Sequence, residues 1–132
     1  MAAKQLYGPL SANLGAVLDG LAIDGRVVIE IDNSTNRHLS DCFDLECVGT
    51  GTGEVAVYVA GSNTAGNFPA AADNKDLWVF VKSLPMASTK KKIDWRSEGL
   101  HKYNAYMIHN NSGAALGAGN TLYRIGVDVE NV

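Results

Sequence analysis

The chain has little net charge and no long apolar run, and each absence excludes a class of protein. Its formal net charge is −3 over 132 residues, whereas nucleic-acid-binding domains usually carry a strong basic excess. No apolar stretch approaches the roughly 20 residues that a membrane helix needs. Residues 1–10 lack the basic segment and long apolar run of a secretory signal. We therefore expect a soluble protein made in a cytoplasm, with neither nucleic acid nor a membrane among its partners.

Cysteine and proline are also scarce. The two cysteines, Cys42 and Cys47, lie five positions apart in one predicted strand, which separates them by about 17 Å and places them on opposite faces. A disulfide needs Cα atoms within about 7 Å, so these two do not pair with each other. Free thiols suit a reducing compartment. Three prolines beside fourteen glycines are typical of short strands joined by tight turns.

The sequence contains no recognisable catalytic or metal-binding motif. His38, His101 and His109 fall on separate predicted elements, without the paired spacing of zinc ligands. The glycine-rich link at 49–53 joins two strands and lacks the lysine ending of a phosphate loop. Asp41 is unusual because it falls on the apolar face of its strand. The hypothesis that the chain is a small hydrolase is supported only by the presence of Asp, Glu and His residues. We therefore expect no enzyme, no catalytic residues, no metal and no cofactor.

What the chain does contain is a series of short strands with alternating apolar residues, separated by polar or glycine-rich turns. The predicted strands cover 26–32, 39–48, 54–60, 77–82, 93–96, 103–109 and 121–129. We expect the second and third of these to form an antiparallel hairpin across the link at 49–53. In the last strand Tyr123, Ile125 and Val127 alternate with Arg124 and Asp128. No crossover helices intervene, so the pattern predicts an all-β fold of seven to eight strands, an antiparallel β-sandwich of jelly-roll or immunoglobulin-like order.

Residues 1–25 differ from the remainder of the chain. Leu10, Leu14 and Leu18 fall near helical spacing, which indicates a short helix over 11–18, although Gly15 in its middle costs about 1 kcal/mol relative to alanine. The alternative is an extended arm that lies across its own domain or a neighbour. We therefore divide the chain into an N-terminal arm or short helix, 1–25, and a β-sandwich domain, 26–132.

Several aromatic residues fall on strand faces opposite the aliphatic ones. Strands that are apolar on both faces are buried on both faces or meet a partner, and Trp and Tyr are common interface anchors. Three interpretations stay open: a core under the arm or the long loop at 61–75, an oligomer or lattice interface, and a platform for stacking sugars. The candidate interface residues are Leu6, Tyr7, Leu10, Leu14, Trp78, Phe80, Trp95 and Tyr106.

Several stretches carry a resemblance to a known group of proteins. In order they are Leu6-Tyr7-Gly8, Asp32-Asn33-Ser34-Thr35-Asn36 before Leu39, Val57-Tyr58-Val59 before Gly61-Ser62, Asn110-Asn111-Ser112-Gly113-Ala114-Ala115-Leu116, and Gly119-Asn120-Thr121-Leu122. From Leu6 to Val129 the chain resembles small virion structural proteins of tailed bacteriophages, of the head decoration (cement) type. The resemblance implies a β-sandwich-like domain that binds the outer capsid shell, and it carries no catalytic residues.

The function that the resemblance implies is non-enzymatic. Such a protein binds the outer surface of the head and stabilises contacts between capsomers. Its partner would be the major capsid protein, and we expect a homo-oligomer, with a trimer favoured, on the capsid surface of the virion after synthesis in the host cytoplasm. Each copy can bind weakly, because repetition around a closed shell supplies avidity. The alternative is a tail-associated β-sandwich module that binds a glycan or a receptor.

Overall fold

The computed structural model describes residues 3–34, 38–71, 77–98 and 101–131, with side chains described from 5 to 128 within these ranges. This part of the chain is all-β, as the sequence predicted, and forms two four-stranded antiparallel sheets that pack against each other. The strands are β1 Ala3–Leu10, β2 Arg26–Asp32, β3 Ser40–Glu46, β4 Glu54–Ser62, β5 Val79–Pro85, β6 Lys92–Glu98, β7 Tyr103–Asn111 and β8 Thr121–Asn131. No helix in these ranges is long and apolar enough to cross a membrane.

The strand order identifies the kind of sandwich. Sheet I has the order β1-β8-β3-β6 and sheet II has the order β2-β7-β4-β5. Of the seven connections between consecutive strands, only that from β4 to β5 stays within one sheet; the others cross from one sheet to the other. This is the double Greek key of an eight-stranded jelly roll, and it differs from the immunoglobulin order.

The predicted hairpin between β3 and β4 was wrong. β3 pairs with β6 and β8, and β4 pairs with β5 and β7. The glycine-rich link carries the chain from one sheet to the other and packs tightly against the β7–β8 connection. A Cβ atom on Gly51 would lie 2.5 Å from Ser112, and one on Gly53 would lie 2.4 Å from the carbonyl oxygen of Asn111. The glycines are therefore required by a close approach of two backbones, since the link does not turn back within one sheet.

The N-terminal segment belongs to the sandwich. β1 is an edge strand of sheet I and pairs with β8. The helix predicted over 11–18 is reduced to one 3-10 turn, Gly15–Leu18. A Cβ atom on Gly15 would lie 2.6 Å from the backbone nitrogen of Leu122, so glycine is needed where this turn meets β8. Leu18 is fully buried in the core, and the boundary that we drew at residue 25 does not separate two structural units.

The core between the sheets is built around stacked aromatic rings. The ring centroids of Phe43 and Trp95 lie 5.0 Å apart, and those of Phe43 and Tyr106 lie 4.6 Å apart, a favourable spacing for aromatic pairs. Leu45 and Leu122, which face each other across β3 and β8, belong to the same cluster. Because the cluster draws on both sheets, it fixes which side of each strand faces inward.

Buried asparagines join the loops at the end of the sandwich where β1 finishes. The amide nitrogen of Asn110 donates to the carbonyl oxygens of Leu21, Ala22 and Ala114, and its oxygen accepts from the hydroxyl group of Ser112. Asn110 and Ser112 are both buried. The polar groups of this turn therefore make their hydrogen bonds within the chain.

Candidate functional site

Part of the outer face of sheet II is covered by the chain itself. Phe68, Ala71 and Trp78, from the β4–β5 connection, pack against Met107 of β7. The guanidinium group of Arg26 donates to the carbonyl oxygen of Ala71 at 3.0 Å and ties the connection down. The part of this face around Trp78 and Met107 is therefore not available to a partner, whereas Phe80, beside Tyr58, is 57% exposed.

The outer face of sheet I carries apolar side chains without such a cover. Leu122 faces the core, and side chains alternate along a strand, so Tyr123, Ile125 and Val127 lie on the other face, where Tyr123 and Ile125 are partly exposed and Val127 is buried. Their cross-strand neighbours are Tyr7 and Leu10 on β1, and Ser40, Cys42 and Asp44 on β3. Tyr7 is 65% exposed and Leu10 is 57% exposed. In the described ranges the buried apolar clusters lie between the sheets and over sheet II only.

We call this surface the sheet I face and define it by Tyr7, Leu10, Cys42, Tyr123 and Ile125. It reverses the usual arrangement of a sandwich strand, because the apolar side of β8 faces outward while Arg124 faces the core. Such a face is typical of a surface that another molecule covers.

The part of the outer face of sheet I that lies farthest from β1, along β3 and β6, is acidic. Asp44 on β3 lies directly opposite Asp94 on β6, and Glu46 lies opposite Lys92. Like charges directly opposite each other destabilise a sheet. A shallow depression of about 100 Å³ between Asp44, Glu46, Lys92 and Tyr123 lies at this side. The face thus changes from apolar at β1 to charged at β6.

A second opening, a groove of about 400 Å³, lies between the edges of β5 and β6. Val59, Val79 and Val81 form its apolar wall. The hydroxyl group of Tyr106 lies at its base and donates to the Ser97 hydroxyl at 2.6 Å. Burial raises the pKa of Tyr106 to about 12, so this hydroxyl stays neutral and remains a donor.

The rim of the groove is polar and includes Arg96, Glu98 and His101. One carboxylate, that of Glu98, and one imidazole, that of His101, therefore line the same groove. The Glu98 carboxylate is 72% exposed and pairs with Arg96 at 3.2 Å. The volume of the groove falls within the range of ligand sites. A suitable volume and one exposed acid do not define a reaction.

A charged pair lies inside the sandwich. Nε of Arg124 is 2.8 Å from Oδ1 of Asp41, but its N–H does not point at a carboxylate oxygen, so the contact is an ion pair rather than a well-formed hydrogen bond. Nη2 of Arg124 donates to the amide oxygen of Asn33 at 2.5 Å. The sequence placed Asp41 on an apolar face correctly, but it gave no sign of the arginine partner. Asp41 is fully buried, and the Arg124 side chain is 19% exposed, so the pair belongs to the core and only its arginine reaches the solvent.

The predicted interface residues divide into two groups in the structure. Leu6, Tyr7, Leu10 and Phe80 are exposed, whereas Leu14 is half-buried and packs against the core, and Trp78, Trp95 and Tyr106 are buried. Trp78 lies under the β4–β5 connection, and the other two aromatic residues fill the space between the sheets. We therefore no longer propose these three as interface residues, and neither tryptophan is available to stack on a sugar.

The two thiols are both free and differ in accessibility. Cys42 is partly exposed on the sheet I face, and Cys47 is buried. Burial raises the pKa of Cys47 to about 12, so its reactive thiolate form is scarce at neutral pH. The labelling rate of Cys42 can therefore report whether the sheet I face is covered, and that of Cys47 can serve as an internal reference.

Comparisons with known proteins assign no function to these surfaces. A scan against protein-family models finds no match, and no curated protein matches the chain. Within the described ranges no three His, Cys, Asp or Glu side chains are grouped so that they could hold a metal ion. The function must therefore be argued from the fold, the surfaces and the resemblance in sequence.

Proposed function

We propose that this chain is a non-enzymatic structural protein of a tailed-bacteriophage virion, a capsid decoration protein that binds the outer head surface and stabilises contacts between capsomers. The resemblance in sequence supports the setting. The observation that carries the proposal is the reversed strand β8, which turns Tyr123 and Ile125 outward beside Tyr7 and Leu10. A surface of this kind is suited to lasting contact with another protein.

The expected strength of the contact fits a repeated structural role. Fully burying a large apolar side chain contributes roughly 1.5–3 kcal/mol. Since Tyr7 and Leu10 are a little over half exposed, covering them contributes about 1–2 kcal/mol each. Together this is roughly a 30- to 1,000-fold gain in affinity. A gain of that size is modest for one copy, but repetition over a shell multiplies it.

The shape of the molecule is compatible with the same role. The two sheets are joined by a continuous aromatic core, and buried asparagines hold the loops at one end. A rigid body of this kind transmits load between two capsomers without unfolding locally. The partner would be the major capsid protein.

The alternative is a tail-associated module that binds a glycan or a receptor. It is favoured by the exposed ring of Phe80, which packs edge-on against Tyr58 on the outer face of sheet II. Because both tryptophans are interior, stacking on a sugar would depend on Phe80 and Tyr7. A glycan array that detects specific binding, abolished by Phe80→Ala, would support this alternative.

The test uses the two native thiols. Heads are purified away from tails, and the chain is counted in each fraction by quantitative mass spectrometry. Free protein and head-bound protein are then alkylated in a short pulse, and the labelling of Cys42 is compared with that of Cys47. We expect many copies per head, at least a tenfold slower labelling of Cys42 on heads, and unchanged protection of Cys47.

Two results would contradict the proposal. If the chain is recovered only with tails, or in a few copies per particle, it is not a decoration protein. If heads carry many copies but Cys42 labels at the same rate as in free protein, the sheet I face does not contact the capsid.

A further inference from the structure

We propose that copies of this chain associate head to tail, with β1 of one copy adding antiparallel to the outer edge of β6 of the next. This goes beyond the proposed function, because a single copy could bind a head through the sheet I face without contacting another copy. The partner is a second copy of the same chain, and the contact joins the two edges of sheet I.

Strand direction favours this contact. β1 runs antiparallel to β8, β8 to β3, and β3 to β6, so the two edge strands of sheet I run in opposite directions. In the described part of the sheet each edge strand has one neighbour. A second copy in the same orientation therefore presents β1 beside β6 in the antiparallel sense, as strand addition to a sheet edge requires.

The groove provides the space for the added strand. A strand beyond β6 in sheet I would lie over the inner side of β5 in sheet II, where Val79 is 66% exposed and Val81 is partly exposed. Leu6 points to the side of β1 opposite Tyr7, and it is exposed at the edge of its own sheet. In the added strand the Leu6 side chain would enter the groove and cover both valines.

The polar side chains of the two edges are also complementary. With outward residues aligned, Tyr7 of one copy lies opposite Arg96 of the next, and Gln5 lies opposite Glu98. An arginine over a tyrosine ring is an attractive cation–π pair, and a glutamine amide can donate to an exposed carboxylate. The same register places Leu6 beside Ser97, at the base of the groove.

One half of β6 is available for this contact. The ammonium group of Lys82 on β5 donates to the carbonyl oxygen of Asp94 at 2.8 Å, so the first half of β6 is already bridged to sheet II. Residues 95–98 remain, and they are the ones that border the groove. A head-to-tail contact of this type uses two different surfaces, and it closes into a ring when the rotation between copies permits.

The test is a pair of introduced cysteines. In a Cys42→Ser background, Gln5→Cys and Glu98→Cys are combined, and the protein is oxidised at several concentrations. We expect disulfide-linked species that end at one closed size on a non-reducing gel, a trimer being favoured, with the same size in light scattering of the unoxidised protein. The matched control combines Gln5→Cys with Glu54→Cys, where Glu54 is likewise an exposed acid, on β4. Circular dichroism and the melting temperature verify that both variants fold.

The outcomes separate this inference from the proposed function. If the control pair links as efficiently as the test pair, or if the unmodified protein stays monomeric at every concentration, the head-to-tail contact is refuted. Protection of Cys42 on heads is measured with the natural cysteines, so it can hold while the contact fails. Conversely, a closed ring without binding to heads would support this inference and contradict the proposed function.

Discussion

Replacing Arg124 with methionine while Asp41 stays in place should destabilise the protein severely. The Asp41 side chain is 0% exposed, so its carboxyl group would be left buried without a cation, and Asn33 would lose a donor. Removing one partner of a buried pair costs roughly 3–5 kcal/mol. We expect Arg124→Met to fall at the upper end of this range.

The converse substitution should cost less. In Asp41→Leu the guanidinium group keeps its bond to Asn33, and because the Arg124 side chain is 19% exposed, it can reach water. We expect a loss of about 3 kcal/mol. The double variant, which places two apolar side chains in the same space, should lie within about 1–2 kcal/mol of the natural protein, so the two changes should be strongly non-additive.

Urea unfolding followed by tryptophan fluorescence measures the four free energies, and equal m-values confirm that each variant unfolds over the same surface. The matched control cycle is Glu46→Ala with Lys92→Ala, a directly opposite pair on the exposed side of the same sheet. Its coupling should be below about 1 kcal/mol. If both core variants lose less than about 1 kcal/mol, or if their losses simply add, our account of the buried pair is wrong.

Three further predictions concern the surface, the N-terminal segment and acid. Leu10→Ser should weaken binding to heads about tenfold, whereas Ile23→Ser, at a residue 62% exposed in the β1–β2 connection, should leave it unchanged; equal losses would place the contact elsewhere. Deleting residues 1–20 should cost at least about 3 kcal/mol in urea unfolding, because it removes a fully buried core leucine, and an unchanged midpoint would contradict the core position of the 3-10 turn. The hydrogen bond from His38 lowers the pKa of Asp128, so its stabilisation is present above the unfolded-state pKa of about 4 and is lost as pH falls through the folded-state value. The melting temperatures of the natural protein and Asp128→Asn should therefore converge in acid, and a constant difference would refute this.

The sequence located the strands well, because alternation is a local signal that survives in every sheet. Seven of the eight strands fall where the alternation predicts them. The eighth, β1, was missed because Gly8 and Pro9 interrupt its pattern. Pairing was not predictable in the same way, since a jelly roll pairs strands that are distant in the sequence, and the hairpin expected across 49–53 does not form.

Alternation also has two phases, and the sequence does not say which one faces the core. A one-residue shift of phase moves every side chain of a strand to the other face. In β8 the more apolar set lies on the face away from the core, with Tyr123 and Ile125 partly exposed and Val127 buried there, and Arg124 faces inward because Asp41 and Asn33 receive it. Only the three-dimensional arrangement reveals that reversal, which is the feature that defines the sheet I face.

The candidate interface residues show the same limit. Composition identifies Trp78 as a strong anchor but does not reveal that the β4–β5 connection covers it. Tyr7 and Leu10 were chosen from a leucine-rich segment, and their exposure follows from the edge position of β1, which the sequence did not predict. Both were proposed as contact residues, and both lie on the sheet I face.

The pairing of β1 with β8 has a consequence for the order of folding. Tyr7 and Val127, which are cross-strand partners, are separated by nearly the whole chain, and contacts of such high sequence separation form slowly. During synthesis β1 has no sheet within its own chain to join until β8 has been made. The apolar face that we assign to the capsid therefore does not exist on the nascent chain, and a premature partner finds no surface to bind.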